Sequence, residues 1–200
     1  MNKTRLEAFS DGVFAIIITI MVLEIKIPHS SEWAALEPMI PAFISYLLSF
    51  IYVGIYWGNH HHLVHTIKKV TPGIIWGNMS LLFCLSLIPF ATGWMGENHF
   101  ATNTVIVYAV MLLLCGVTFT ILQLAIEKSN PFTPQLRIAF LIVRKKGLVS
   151  VACYSLSIVL AYVHPGISGA LFTLVAVMWL IPEKHIEHAL KEQEVHDKQA

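Results

Sequence analysis

Charge is scarce in this chain. Asp, Glu, Lys and Arg make up 12% of its 200 residues, against about 25% in an average globular protein. The net charge is +1, and no basic run exceeds Arg144, Lys145 and Lys146. The footprint of a nucleic-acid binder is therefore missing, and no nucleic-acid partner is expected. Cysteine is equally thin. Cys84, Cys115 and Cys153 each fall in an apolar stretch and match neither a disulfide framework nor a metal motif. They read as small buried hydrophobes. No HExxH helix signature occurs. No ten-residue alternation of apolar and polar positions recurs, which argues against a membrane β-barrel. No small-residue cleavage site follows the first apolar segment, so that segment is expected to be retained rather than removed as a signal peptide.

What the chain has instead is hydrophobicity: 56% of residues, with a mean hydropathy of +0.68. Breaking it at charges and prolines gives an all-α, polytopic membrane protein with six transmembrane helices. Their spans are expected at about 5–26, 38–66, 72–95, 100–126, 146–163 and 165–182. Residues 1–182 would form the membrane domain, and 183–200 a polar cytoplasmic tail. "SNPFTP" at 129–134 is expected to end a helix before a separate polar stretch reaching Lys146. With the N-terminus in the cytoplasm, twelve Lys and Arg side chains fall inside and only Lys26 outside. That bias orients the protein with both termini cytoplasmic. The acids Glu24, Glu32 and Glu37 would sit at the outer mouth.

The first span, "RLEAFSDGVFAIIITIMVLEI", is too short for lipid. Only the twelve residues Gly12 to Leu23 separate Asp11 from Glu24, about 18 Å of helix against an apolar bilayer core of about 30 Å. Steps of three and four residues place Arg5, Phe9, Gly12, Ile16, Thr19 and Leu23 on one stripe, flanked by Ile20. Asp11 shares another face with Ala15, Ile18 and Val22. An acid at membrane depth costs about 2.5–3.5 kcal/mol on insertion scales, so it normally faces protein or water. The helix is therefore placed inside a bundle, with Gly12 and Ala15 permitting close approach. Arg5, Ser10 and Asp11 are expected to form a polar latch at its cytoplasmic end.

Arg5-x-x-x-Phe9-Ser10-Asp11, followed by "GVFAIIITIMVLEI", resembles the signature of the transmembrane protein 175 family in its prokaryotic six-helix form. Trp57, His60 and His61 match that family's Trp-x-x-His-His pattern; Asn78 and the Pro89-Phe90 pair also resemble it. The likeness is specific in the first half and general in the rest. It implies a potassium-permeable cation channel of the bacterial inner membrane, a homotetramer in lipid, with the first helix of each subunit central and lining the pore. It implies no enzyme activity and no cofactor. By position it assigns the apolar constriction to Ile16, Ile20 and Leu23 and the polar filter position to Thr19. The spacing itself does not distinguish a pore face from core packing. No TVGYG-like segment is present, which excludes an ordinary potassium-channel filter.

"NHHHLVH", Asn59 to His65, leaves alternatives open. His61 and His65 stand at i, i+4 and His62 and His65 at i, i+3, spacings at which two histidines can share a metal. With Asp11 they suggest a membrane-embedded, metal-dependent hydrolase; a proton-coupled transporter is a further alternative. The preferred reading makes His60 and His61 partners in the latch, where they could lend pH sensitivity. Unchanged currents across pH after mutating both would remove that hypothesis. Asn78 is expected to hydrogen-bond another helix. Pro41 and Pro89 read as tolerable kinks. No internal repeat is evident, so a symmetric pore would require oligomerisation.

Overall fold

The computed structural model describes residues 2–180, and all regular structure among them is helical. Seven α-helices follow in chain order: α1 (Lys3–Leu23), α2 (Ile40–His65), α3 (Pro72–Ser86), α4 (Ile88–Glu97), α5 (Thr102–Ser129), α6 (Pro134–Leu160) and α7 (Pro165–Leu180). A 3-10 helix, Trp33–Met39, precedes α2. Four segments are long and apolar enough to cross a membrane: Lys3–Leu23, Trp33–His65, Pro72–Glu97 and Thr102–Ser129. The tail at 183–200 lies outside the described residues.

The helix starts follow from local chemistry. Asn2 caps α1, its side chain accepting from the Arg5 N–H at 3.0 Å, and Thr133 caps α6 by accepting from Leu136 N–H at 3.3 Å. Pro41, Pro72, Pro89 and Pro134 occupy first-turn positions of α2, α3, α4 and α6. Proline costs least there, because the missing N–H would have had no partner within the helix.

Two elements differ from the expected outline. The third span divides at Leu87 into α3 and α4. Pro89 has no N–H to give, and its ring crowds the carbonyl four residues back, so the rod breaks into two segments. The polar stretch before Lys146 is not separate from the fifth span. α6 runs unbroken from Pro134 to Leu160 and carries Arg137, Arg144, Lys145 and Lys146 within it. Leu136, Ala139, Phe140 and Val143 are buried at helical spacing, so the charges occupy the remaining faces and interrupt nothing. Charge density marked the start of apolar sequence there, and not the start of the helix.

The core is continuous. α5 packs against α3, α4, α6 and α7, while α2 packs against α1, α4 and α7. Buried polar side chains join these helices. Thr92 Oγ1 lies 2.7 Å from Ser49 Oγ, which is 2.9 Å from the Tyr108 hydroxyl, and the Tyr52 hydroxyl donates to the Phe172 carbonyl at 2.7 Å. Asn130 Oδ1 accepts from the Lys68 and Lys69 N–H groups at 2.7 and 2.9 Å, fixing the α2–α3 turn to the end of α5. Gly96 lets α4 meet α2 closely. A Cβ there would stand 2.7 Å from Ala42 Cα and 2.5 Å from Ser45 Oγ.

Candidate functional site: the first helix and its latch

α1 has two unlike faces. Leu6, Ser10, Phe14, Ile17 and Met21 recur every three or four residues and are buried against α2, α3 and α4. The expected pore stripe lies on another arc and is uncovered. Ile16 is 57% exposed, Ile20 42% and Leu23 80%; Thr19 and Phe9 are exposed as well. Thr19 Oγ1 donates its proton to the Ile16 carbonyl at 2.9 Å. Its remaining oxygen lone pairs therefore point away from its own helix and can accept.

The buried face is held by a three-residue polar link. Asn78 on α3 is fully buried and uses both ends of its amide. Its Nδ2 donates to Ser10 Oγ at 3.0 Å, and its Oδ1 lies 2.7 Å from His60 Nε2. With the amide oxygen accepting, His60 Nε2 carries the proton. Ser10 passes its own proton to the Leu6 carbonyl at 2.8 Å. His60 is 1% exposed, its ring centroid 5.4 Å from that of Phe14. One chain of hydrogen bonds thus joins α1, α3 and α2, with its buried polar groups paired as an apolar setting requires.

A second tie lies on the surface, where Trp57 Nε1 donates to Asp11 Oδ1 at 3.0 Å. The structure thus brings Ser10, Asp11, Trp57, His60 and Asn78 together around α1. His61 stands outside this group: it is exposed, with ring centroids 6.3 Å from both Trp57 and His65. Arg5 is also exposed, on the uncovered side of α1. A further tie had no local sequence signal. Lys3 Nζ donates to the His65 carbonyl at 2.6 Å, so the start of α1 is fastened to the end of α2. That contact depends on the antiparallel register of two helices 62 positions apart. At the other end of α1, Lys26 pairs with Glu97 at 2.9 Å beside the end of α4.

Among the described residues, no three His, Cys, Asp or Glu side chains converge as a metal site. His60 is committed to Asn78, and Asp11 to Trp57.

A family model described as the endosomal/lysosomal potassium channel TMEM175 matches residues 5–89, which include Ser10, Asp11, Trp57, His60 and Asn78. A potassium channel from a Chryseobacterium species is 50% identical over 192 residues, covering 96% of this chain and 100% of that protein. The chain belongs to the TMEM175 family. A potassium channel from Streptomyces collinus is 33% identical over 131 residues, 60% of this chain and 62% of that one. The crystal structure of a lysosomal potassium-selective TMEM175 homologue from Chamaesiphon minutus superposes with a TM-score of 0.79 at 25% identity, covering 90% of this chain and 96% of that one. A TMEM175-family chain is a multi-pass membrane protein and not an enzyme, so the hydrolase alternative lapses.

Proposed function

We propose that four copies of this chain form a potassium-permeable channel of the bacterial inner membrane, with both termini cytoplasmic and α1 of each subunit lining the pore. The exposed face of α1 carries this reading. Ile16, Thr19, Ile20 and Leu23 lie within about 100° of arc, on a different arc from the buried stripe of Leu6, Ser10, Phe14, Ile17 and Met21. α1 is long and apolar enough to cross a membrane, but it carries Asp11, and an acid at membrane depth normally faces protein or water and not lipid. One helix cannot enclose a pathway, so closure requires symmetry-related copies. The number four follows from the family resemblance of the Arg5 to Asp11 motif.

Four-fold repetition turns each side chain into a ring. Rings of Ile16, Ile20 and Leu23 form apolar constrictions that exclude water when narrow and pass a hydrated cation when wider. The Thr19 ring lies between Ile16 and Leu23 and offers oxygens in place of lost hydration waters. The latch holds each α1 at a fixed rotation, which keeps these side chains aimed at the axis. Membrane lipid surrounds the outer helices, and the permeating partner is K⁺ itself.

The reading is tested by K⁺ flux from liposomes containing the purified full chain, with no metal or substrate added. Flux that rises with protein content is expected. Absence of flux from correctly folded tetramers would contradict it.

A further inference from the structure

Away from α1, the end of α5 and the first half of α6 enclose a cleft of about 290 Å³, lined by Glu127, Phe132, Arg137, Leu141 and Arg144. Arg137, Leu141 and Arg144 recur at i, i+4 and i+7, so they project from one face of α6. Glu127 is engaged twice. Gln123 Nε2 donates to its Oε1 at 2.7 Å, and Arg144 Nη1 stands 4.0 Å from its Oε2. The Arg137 guanidinium has no hydrogen bond or ion pair among the described residues. Two guanidiniums therefore face one carboxylate, and the lining carries one excess positive charge.

The surroundings are those of a lipid and not of a soluble anion. Phe132 stacks on Phe140 with ring planes 9° apart and centroids at 4.9 Å, giving the cleft a flat apolar wall. On α6, Ile138, next in sequence to Arg137, is 60% exposed, and on α5 Ile121 is 50% exposed and Leu124 43%. These exposed apolar side chains stand on the two helices that form the cleft, and α5 is apolar enough to cross the membrane. The volume sits near the lower end of ligand sites, about 300 Å³, which suits a headgroup with its acyl chains left outside.

We propose that this cleft binds the headgroup of an anionic phospholipid. Arg137 and Arg144 hold the phosphate, and the acyl chains lie along Ile121, Leu124 and Ile138. A guanidinium fork matches phosphate oxygens in pairs, so Arg137 supplies geometry as well as charge. A zwitterionic lipid carries the same phosphate with a compensating cation and gains less from the excess charge.

Native mass spectrometry of the full chain in detergent, titrated separately with phosphatidylglycerol, phosphatidylcholine and soluble glycerol phosphate, tests this. Phosphatidylglycerol binds best, and Arg137→Gln weakens it about fivefold, the factor for one basic residue at an anionic surface. Leu141→Glu, which places a carboxylate at the same lip, weakens it by about the same factor. Lys145→Gln removes an equal charge from an exposed position outside the lining and leaves binding unchanged. Equal losses for Arg137→Gln and Lys145→Gln, or no loss for Arg137→Gln and Leu141→Glu, overturn the site. Glycerol phosphate binding as tightly as the lipid overturns the lipid as its occupant.

Discussion

Asn78 and Ser10, 68 positions apart in sequence, are joined by a 3.0 Å hydrogen bond in which neither residue has any exposed surface. The same amide reaches His60 at 2.7 Å. A single side chain on α3 therefore fixes both the rotation of α1 and its separation from α2. Because α1 buries one stripe and leaves another open, fixing its rotation also fixes which side chains stand on the open side.

Asn78→Leu removes both bonds and keeps a similar volume. It leaves His60 Nε2 and one face of the Ser10 hydroxyl without partners inside apolar surroundings. Unsatisfied buried groups cost about 1–3 kcal/mol each, whereas a bond between membrane helices is worth only about 0.6 kcal/mol on average. The stranded groups dominate, so a loss of about 2 kcal/mol or more is expected, read as a lower melting temperature in detergent. An unchanged melting temperature would show that the link is not holding the helices.

Trp57→Phe keeps the ring and deletes the indole N–H that reaches Asp11. Both partners are exposed, so water replaces the bond, and stability is expected to change by less than about 1 kcal/mol. Function is the sensitive readout, because the polar end of α1 loses its only direct side-chain tie to Asp11 among the described residues. A several-fold fall in liposome K⁺ flux at unchanged melting temperature is the expected outcome. Equal flux would remove Trp57 from the latch.

Gly96→Ala tests the crossing of α4 and α2. The added methyl would fall 2.7 Å from the Ala42 backbone, which cannot rotate away as a side chain could. Overpacking of this kind costs about 1–3 kcal/mol. Reduced yield and a lower melting temperature are expected, with the change absent from Gly54→Ala, where the added atom meets nothing within 4 Å.

Much of this architecture was legible in the sequence, because membrane spans announce themselves as uncharged runs. The first helix buries only the stripe from Leu6 to Met21 within the chain, and Gly12 and Ala15, expected at a close helix approach, are exposed, with nothing within 4 Å of a Cβ at Gly12. Three features were not legible. The α3–α4 break depends on how far Pro89 bends its rod, which composition does not state. The early start of α6 was hidden because Arg137 and Arg144 were read as part of a polar stretch separate from the span, although charges on one face of a helix cost it nothing. The choice between His60 and His61 was also hidden. Adjacent residues point about 100° apart, so which of them meets Asn78 depends on the rotation of α2 against α3. Local spacing carries no information about that angle, and Lys3 met His65 unannounced for the same reason.

The open stripe of α1 as the pore wall is tested most directly by single-channel recording of reconstituted wild type, Leu23→Ala and Thr19→Val. Leu23→Ala shortens an apolar ring and is expected to raise conductance. Thr19→Val keeps the shape but removes the oxygens, and is expected to lower K⁺ conductance and shift the reversal potential toward Na⁺ in mixed solutions. Wild-type conductance and reversal potential in both variants would place the ion pathway elsewhere.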